Sequence, residues 1–569
     1  MSTSKTPKAR HVRLLSRGFF PPEMPSCFYS DTLGAKRDHI LKTFNLIPPP
    51  KSGAPDFYSF RGERAPFNFP RFGREDRRHS YINPISYFFL SKILAENYVA
   101  IRKLNRRSKM SIAPTIFDWV GERALIRPTF DARDSQRVTL NAGYELLVEA
   151  DIASFFHSVY THAIPWAVHG KAAAKQNKQN MSLYGNGIDL LVRNAQGGQT
   201  IGLPVGPDTS RLIAEIVATA IDKAIQTALK RKRSWSATRR GAMRFVDDFT
   251  FGCASRHEAE VVVAAIRRCA NEYELDLNNS KTRITPTGPF FPAAWTEHIR
   301  SLLPSIGANR SRLFQYFYGI EAAARAHPEA NVQKFALQNA RRLFLETNEW
   351  SLVEDFLLSS YRQNPTVLPV VSEILVLRHL DKMDVAVERV GTFVASRLPT
   401  LTRLQKNGEI WWLLFLCICL RAPIRASAVS ELFKVEDGAV AVLITDASKL
   451  GIIQGSIDRS TWDLSLTGDG LRSAMWLYSY ESVLKSLNST GTNAHVKSDP
   501  YFDALLNAGV EFYRSGSFHM SKNTLLARLR LERLRHQVQQ AAVTQNLAEE
   551  IDDFDEIADE NEVDESEFY

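Results

Sequence analysis

Two adjacent aspartates set among apolar residues, in the run RFVDDFTFG from Arg244 to Gly252, constrain this chain more than any other feature. Aromatics recur at Phe249 and Phe251, so the segment reads as a tight hairpin that presents Asp247 and Asp248 at its bend. Adjacent carboxylates repel, and holding them together is unfavourable unless a cation neutralises them; a divalent metal is the natural partner. A second segment, ELLVEADIASFFHSVYTH from Glu145 to His162, is an apolar strand that ends in Asp151 and turns through Ser154, Phe155 and Phe156. Asp151 and the pair on a neighbouring strand make a three-carboxylate cradle of the kind that two Mg²⁺ ions roughly 3.5 to 4 Å apart require.

Two further segments complete an ordered set. GLPVGPDTSRLIAEI, Gly202 to Ile216, places a Gly- and Pro-rich loop before a helix; Gly202 and Gly206 let the backbone approach a base pair or sugar that a Cβ would hold off. LDLNNSKT, Leu275 to Thr282, supplies Lys281 after a short strand, where an ammonium could neutralise or protonate a departing pyrophosphate. Singly these signals are common: an Asp pair is often a surface turn and a lone lysine is usually solvated. Their order carries the weight: strand with Asp, loop and helix, hairpin with Asp-Asp, strand with Lys.

Charge points the same way. The formal net charge is +9, yet residues 549–569 hold 12 acidic residues and no Lys or Arg, so the rest of the chain sets 71 basic against 50 acidic residues, a balance of +21. Such a surface suits a polyanion, DNA or RNA above all, with solubility as the plainer reading. At 44% hydrophobic and 23% charged residues, the composition is that of a globular protein. The five cysteines form no CxxC pair and no zinc-like cluster, and Met1 to Arg17 has no apolar signal core, so a cytoplasmic setting is expected. The longest apolar run, Ile410 to Leu420, is about half of a membrane-spanning length and reads as a core helix.

The length predicts two or three units. Residues 1–79, rich in Pro, Arg and aromatics, read as an extended arm. Residues 80–300 mix helices and strands: a helical pattern over Tyr81 to Leu104, short β-type runs from Ser111 to Ala150, then alternation to about residue 290. Residues 301–548 read as helices throughout, with helical periods over Val332–Glu346, Ser351–Gln363, Thr366–Leu380 and Met383–Leu398, stacked as in HEAT repeats. A basic amphipathic helix follows over Thr524–Glu550, and residues 549–569 are an acidic tail read as disordered.

The ordered set resembles the palm motifs of reverse transcriptases, over about residues 80–320. By that resemblance Asp151 is the first motif's metal ligand, Asp247 and Asp248 the catalytic pair, Gly202 to Ser210 the loop against the nascent base pair, and Lys281 the lysine of the fourth motif. Phe156, five residues beyond Asp151, matches the aromatic gate that excludes a ribose 2′-hydroxyl, with Phe155 or Phe156 read as core. The resemblance implies an α+β fold with right-hand fingers and palm followed by an all-α, HEAT-like region. It also implies RNA-directed addition of deoxynucleoside triphosphates, with Pro204, Val205 and Gly206 at the nucleotide. Many relatives carry a polar residue where this chain has Val205, so contact with the nascent base pair departs from that of a general copying enzyme.

The Ser210 to Glu215 pattern and the helical second half resemble bacterial defence-associated, abortive-infection-type reverse transcriptases. Within that group, PPEMPSCFYS (Pro21 to Ser30) and Asn83-Pro84 are similar to the second polymerases of the type-three, two-polymerase antiphage systems. That likeness implies a partner reverse transcriptase, a noncoding RNA, an oligomer, and DNA synthesis without an ordinary template. Glu23 then reads either as a carboxylate that replaces a template base edge or as a solvated charge. The densest basic run, KRKRSWSATRR, begins at Lys230, Arg231, Lys232 and Arg233 and suits a nucleic-acid backbone or a solvated loop. Arg71, Arg74, Arg77 and Arg78 among phenylalanines form another such patch. Of Arg127, Arg133 and Arg137, Arg137 is favoured to grip the triphosphate. Competing readings are a helical scaffold on an inactive polymerase fold and a mobile-element reverse transcriptase.

Overall fold

The computed structural model describes residues 6–48, 59–128, 130–231, 241–288, 295–488 and 491–516. Helices α1 (Pro7–Arg17), α2 (Asp31–Ala35) and α3 (Arg37–Phe44) precede a hairpin of β1 (Ala65–Arg71) and β2 (Arg74–Tyr81). The extended arm expected over residues 1–79 is therefore corrected: its described part is folded and packed. Pro7 sits in the first turn of α1, where its missing N–H costs nothing, and Thr6 caps the helix by accepting from the Ala9 N–H at 3.2 Å. Leu14, Leu15, Phe19, Phe20 and Phe28 all enter the main core. The aromatics that looked irregular as a pattern alternate in β1, where Phe67 and Phe69 are buried.

Next come α4 (Pro84–Glu96), α5 (Tyr98–Asn105) and α6 (Phe130–Gly143), then β3 (Leu146–Asp151). Of the β-type runs expected between Ser111 and Ala150, β3 forms as a strand, and those before it are reduced to isolated bridges, Ser111 with Arg244 and Phe117 with Leu125. The stretch that became α6 is polar, and among its described side chains only Leu140 is fully buried, so it carries no helical apolar period to read. After β3 follow α7 (Phe155–Ser158), α8 (Ala163–His169), α9 (Lys171–Gln176), α10 (Tyr184–Asn194), α11 (Asp208–Arg231), β4 (Ala242–Phe245), β5 (Asp248–Cys253), α12 (Arg256–Asn271) and β6 (Arg283–Pro286). The four strands form one antiparallel sheet in the order β4-β5-β3-β6.

Alternation divides this sheet into two faces. Val148, Ala150, Phe249 and Phe251 join the main core on the side where α12 packs against β3 and β5. Leu147 and Met243 face the other way and form a small separate cluster with Leu140 of α6. Asp151 shares the parity of Leu147 and pairs in register with Asp248, so both carboxylates lie on this second face.

The remaining helices are α13 (Trp295–Leu302), α14 (Arg310–Ala326), α15 (Val332–Asn339), α16 (Arg341–Glu346), α17 (Trp350–Gln363), α18 (Leu368–Leu380), α19 (Val387–Arg403), α20 (Asn407–Leu420), α21 (Gly438–Lys449), α22 (Ser460–Asp463), α23 (Trp476–Leu484), α24 (Ala494–Ser498) and α25 (Pro500–Asn507). The region is helical as expected, with one two-residue parallel pairing of β7 (Ile424–Arg425) and β8 (Ile453–Gln454) among the helices. The apolar run behaves as expected, since every residue of α20 from Gly408 to Leu420 is buried. Gly408 has no room for a side chain, because a Cβ there would stand 2.7 Å from the Asn68 carbonyl of β1. No helix among the described residues is long and apolar enough to cross a membrane. The helix expected over Thr524–Glu550 and the acidic tail lie outside the described residues.

The two ends of the described chain are tied together. Phe28 and Tyr513 form an antiparallel bridge, the Tyr29 N–H donates to the Phe512 carbonyl at 3.1 Å and the Arg514 N–H to the Cys27 carbonyl at 2.9 Å. Buried Glu481 accepts from the Phe512 N–H at 2.5 Å, and the Tyr513 hydroxyl donates to Asp446 at 2.6 Å. Burial pushes the Glu481 carboxyl up to about 8. Between pH 4.5 and about 8 the unfolded carboxyl ionises while the folded one keeps its proton, so stability should fall as pH rises through that window. Chemical denaturation across pH checks this, and Glu481→Gln should flatten the slope. Phe28→Ala should cost roughly 3–5 kcal/mol in the same measurement.

Candidate active site

The bend between β4 and β5 is a two-residue turn, with Phe245 opposite Asp248 and Val246 and Asp247 between them. Val246 has φ +62°, a region that a β-branched residue adopts only when its surroundings impose it. Arg244 imposes it. Its side chain is 0% exposed and donates to the Val246 carbonyl at 2.7 Å, to Glu215 at 3.0 Å and to Asp222 at 2.9 Å, both on α11. Ser108 and Ser111 donate to the same two carboxylates at 2.5 and 2.7 Å, so no member of the cluster faces apolar surroundings alone. Burial opposes the arginine's charge, but Asp222 and Glu215 together hold it protonated above the ordinary arginine value. Arg244 opens the sequence motif, but a strand arginine reads as exposed; only its two acidic partners one turn pair apart on the preceding helix could have signalled this role.

Asp151 ends β3 and is 4% exposed. Its Oδ1 has no hydrogen-bond partner, while Oδ2 is met by the Lys281 ammonium. Lys281 stands in the turn before β6, which the Ile152–Leu277 bridge and the Asn278 N–H, donating to the Asp151 carbonyl at 2.7 Å, hold against β3. Burial, then Asp248 and Asp151, push the Asp247 carboxyl up to about 7, with Lys281 working the other way. Burial and then Asp151 also raise Asp248, opposed by Lys281 and Arg133. The three carboxylates therefore share one electrostatic site. Among the described residues no three acidic, His or Cys side chains are already arranged to hold a metal. The donor set nonetheless fits a hard divalent cation: carboxylate oxygens, one of them buried and unpartnered.

The glycine-rich loop passes behind this site. Gly202 and Gly206 have φ +91° and +131°. A Cβ on Gly206 would stand 2.4 Å from the Pro21 ring, so the close approach is to the protein's own N-terminal segment, not the open space expected for a base pair. Pro204 and Val205 are buried, and the Val205 carbonyl accepts from the Ser80 N–H at 2.9 Å. Phe155 is core, whereas Phe156 is half-buried on α7, with its carbonyl accepting from the Leu203 N–H at 2.6 Å. Glu23, two residues beyond Pro21, is no solvated charge on an arm: its side chain is 27% exposed, with Oε2 3.4 Å from His79 Nδ1, and it lies in the field of Arg127 and Lys334.

The arginines are placed differently from expectation. Arg137 pairs with Glu149, which also holds Arg283 at 2.5 Å, so its guanidinium is bound to the sheet. Arg133 instead faces Asp248 and stands 5.8 Å over the Phe245 ring. Arg71, at the tip of the β1–β2 hairpin, lies in the field of Asp151 and Asp247. Lys230 is exposed at the end of α11; Arg231 is its last residue, and Lys232 and Arg233 lie outside the described residues.

Residues 93–302 match the family model described as reverse transcriptase (RNA-dependent DNA polymerase). The chain carries a reverse-transcriptase domain. Its enzymatic class is RNA-directed DNA polymerase, whose substrates are nucleic acid and deoxynucleoside triphosphates. The match spans the strand of Asp151, the glycine loop, the Asp247-Asp248 hairpin and Lys281. No curated protein matches the chain. Among solved structures, apo telomerase from Candida Tropicalis is similar over 78% of this chain and 75% of its own, at 11% identity and a TM-score of 0.28.

Arg244→Met should cost roughly 3–5 kcal/mol by leaving two buried carboxylates unpaired. Adding Glu215→Gln and Asp222→Asn should recover much of that stability in denaturant titrations, but not nucleotide incorporation, since the turn would still lack its anchor.

Proposed function

We propose that the reverse-transcriptase domain is an active DNA polymerase that works with two Mg²⁺ ions held by Asp151, Asp247 and Asp248. The observation that carries this reading is the convergence of three carboxylates at one end of the sheet: buried Asp151 with an unpartnered oxygen, half-buried Asp247 in the turn, and exposed Asp248 in register with Asp151. Bound there, the metal supplies Lewis acidity for the primer hydroxyl and for the triphosphate. The chain's own residues do the rest. Arg71 and Arg133 bring guanidinium groups toward the carboxylates, where triphosphate charge would lie, and take the role expected of Arg137. Lys281 is placed to give up Asp151 when metal binds and to meet the departing pyrophosphate with its ammonium. Phe156, half-buried on α7 five residues beyond Asp151, takes the role of excluding a ribose 2′-hydroxyl.

The likeness to defence-associated polymerases supports a cytoplasmic antiviral role, as part of an oligomer with a second reverse transcriptase and a noncoding RNA. In that setting Glu23 acts as a template substitute; its position two residues past Pro21, against the glycine loop, supports the reading. The basic run from Lys230 to Arg233 serves the nucleic-acid backbone.

Purified protein with Mg²⁺ and labelled deoxynucleotides, singly and in pairs, with and without added RNA or DNA, tests the whole proposal. Incorporation should disappear on chelation and fall by more than about a hundredfold in Asp247→Asn, beyond what loss of an outer-shell partner costs. Product without added template, altered in sequence by Glu23→Ala, is the result expected of protein instruction; unaltered sequence would remove that role from Glu23. Phe156→Ala should admit ribonucleotides.

A further inference from the structure

One recess of the molecule lies away from the carboxylates. It opens where α5, α8, α11 and the end of α12 meet, on the helical side of the palm sheet, and holds about 770 Å³, within the size of small-ligand sites. Asp151, Asp247 and Asp248 do not line it. Three exposed cations do: Arg107, Lys223 and Arg268. None of them makes an ion pair among the described residues, although 71 basic side chains compete for 62 acidic ones along the chain. Glu272 is the one acidic side chain in the lining.

Between the cations stand two half-exposed aromatic rings, Trp166 and Tyr273. Lys171 and Lys175 hold their ammonium groups 4.3 and 5.8 Å from the Trp166 ring centroid, adding positive charge at the rim. At the floor, Thr219 is 0% exposed and its Oγ1 has no hydrogen-bond partner. A buried hydroxyl without a partner is uncommon, since it forfeits hydrogen-bonding energy that water would supply. Exposed cations, aromatic rings and a free hydroxyl in one concavity are the complement of a phosphate, a heterocyclic base and a polar base edge or sugar.

We infer that this recess is a second nucleotide-binding site, separate from the polymerase centre, which takes one phosphate-linked nucleoside with its base on Trp166 or Tyr273 and its phosphate on Arg107, Lys223 and Arg268. The nucleotide can arrive free or as one unit of a single strand. An acidic peptide would satisfy the cations but leave the rings unused.

Photo-cross-linking on the full chain tests this, with a single-stranded oligomer containing 4-thiouridine in one arm and 8-azidoadenosine triphosphate in the other, followed by peptide mapping. The expected cross-link falls on the peptides of Trp166 or Tyr273. It should drop about tenfold or more in the double variant Lys223→Gln, Arg268→Gln, as loss of two phosphate contacts implies, and survive an excess of polyglutamate. Labelling by the azido nucleotide alone identifies a free nucleotide as the source, and labelling by the oligomer identifies a strand. Cross-links confined to other peptides, undiminished in the double variant or displaced by polyglutamate would overturn the inference. The readout needs no catalysis, so an inactive polymerase centre would leave the test intact, and both substituted side chains are exposed, so the melting temperature should not move.

Discussion

The buried contact of Arg244 with Glu215 and Asp222 is the constraint on which the site depends. Removing three charges from water is expensive, and an apolar trio of the same volume would be at least as stable. What the ionic cluster adds is direction. One guanidinium reaches two carboxylates on the long helix behind the glycine loop and, with the same group, the carbonyl of Val246. A turn with a β-branched residue at positive φ is thereby fixed to the helix that begins just after Gly206, so loop and hairpin move as one body.

Around that anchor the electrostatics are arranged for a cation. Burial and then the neighbouring carboxylates raise the proton affinity of Asp247 and Asp248, so Asp247 sits near neutrality and not in the ordinary carboxylate range. Lys281 relieves part of the repulsion from one side only, leaving Asp151 Oδ1 without a partner. The second face of the sheet therefore has a large unspent attraction for positive charge, while the first face is conventional packing under α12.

What was legible in the sequence was local. The Asp-Asp hairpin, the strand ending in Asp151, the glycine loop and the buried run of α20 each declare themselves within a dozen residues, through period, turn chemistry or continuous hydrophobicity. What was not legible depends on residues far apart. The N-terminal segment looked irregular because Phe19, Phe20 and Phe28, which follow α1 outside any helix, pack on one another and on Trp411, Trp476, Phe512 and Tyr513, hundreds of residues away. Gly206 looked like a surface for substrate because nothing nearby in sequence announces Pro21. Arg137 looked free because Glu149 belongs to the next strand, and α6 carried too little apolar surface to mark its own helix.

The bridge between Phe28 and Tyr513 has a consequence for the order in which this molecule can be made. Residues 28–32 and 511–514 hold each other by backbone and side-chain hydrogen bonds, and the Pro21 that backs the glycine loop lies just upstream. A ribosome has to deliver about 480 residues beyond Thr32 before that seam can close. During translation, the completed palm strands wait with their N-terminal neighbour unlatched until residues 511–514 arrive.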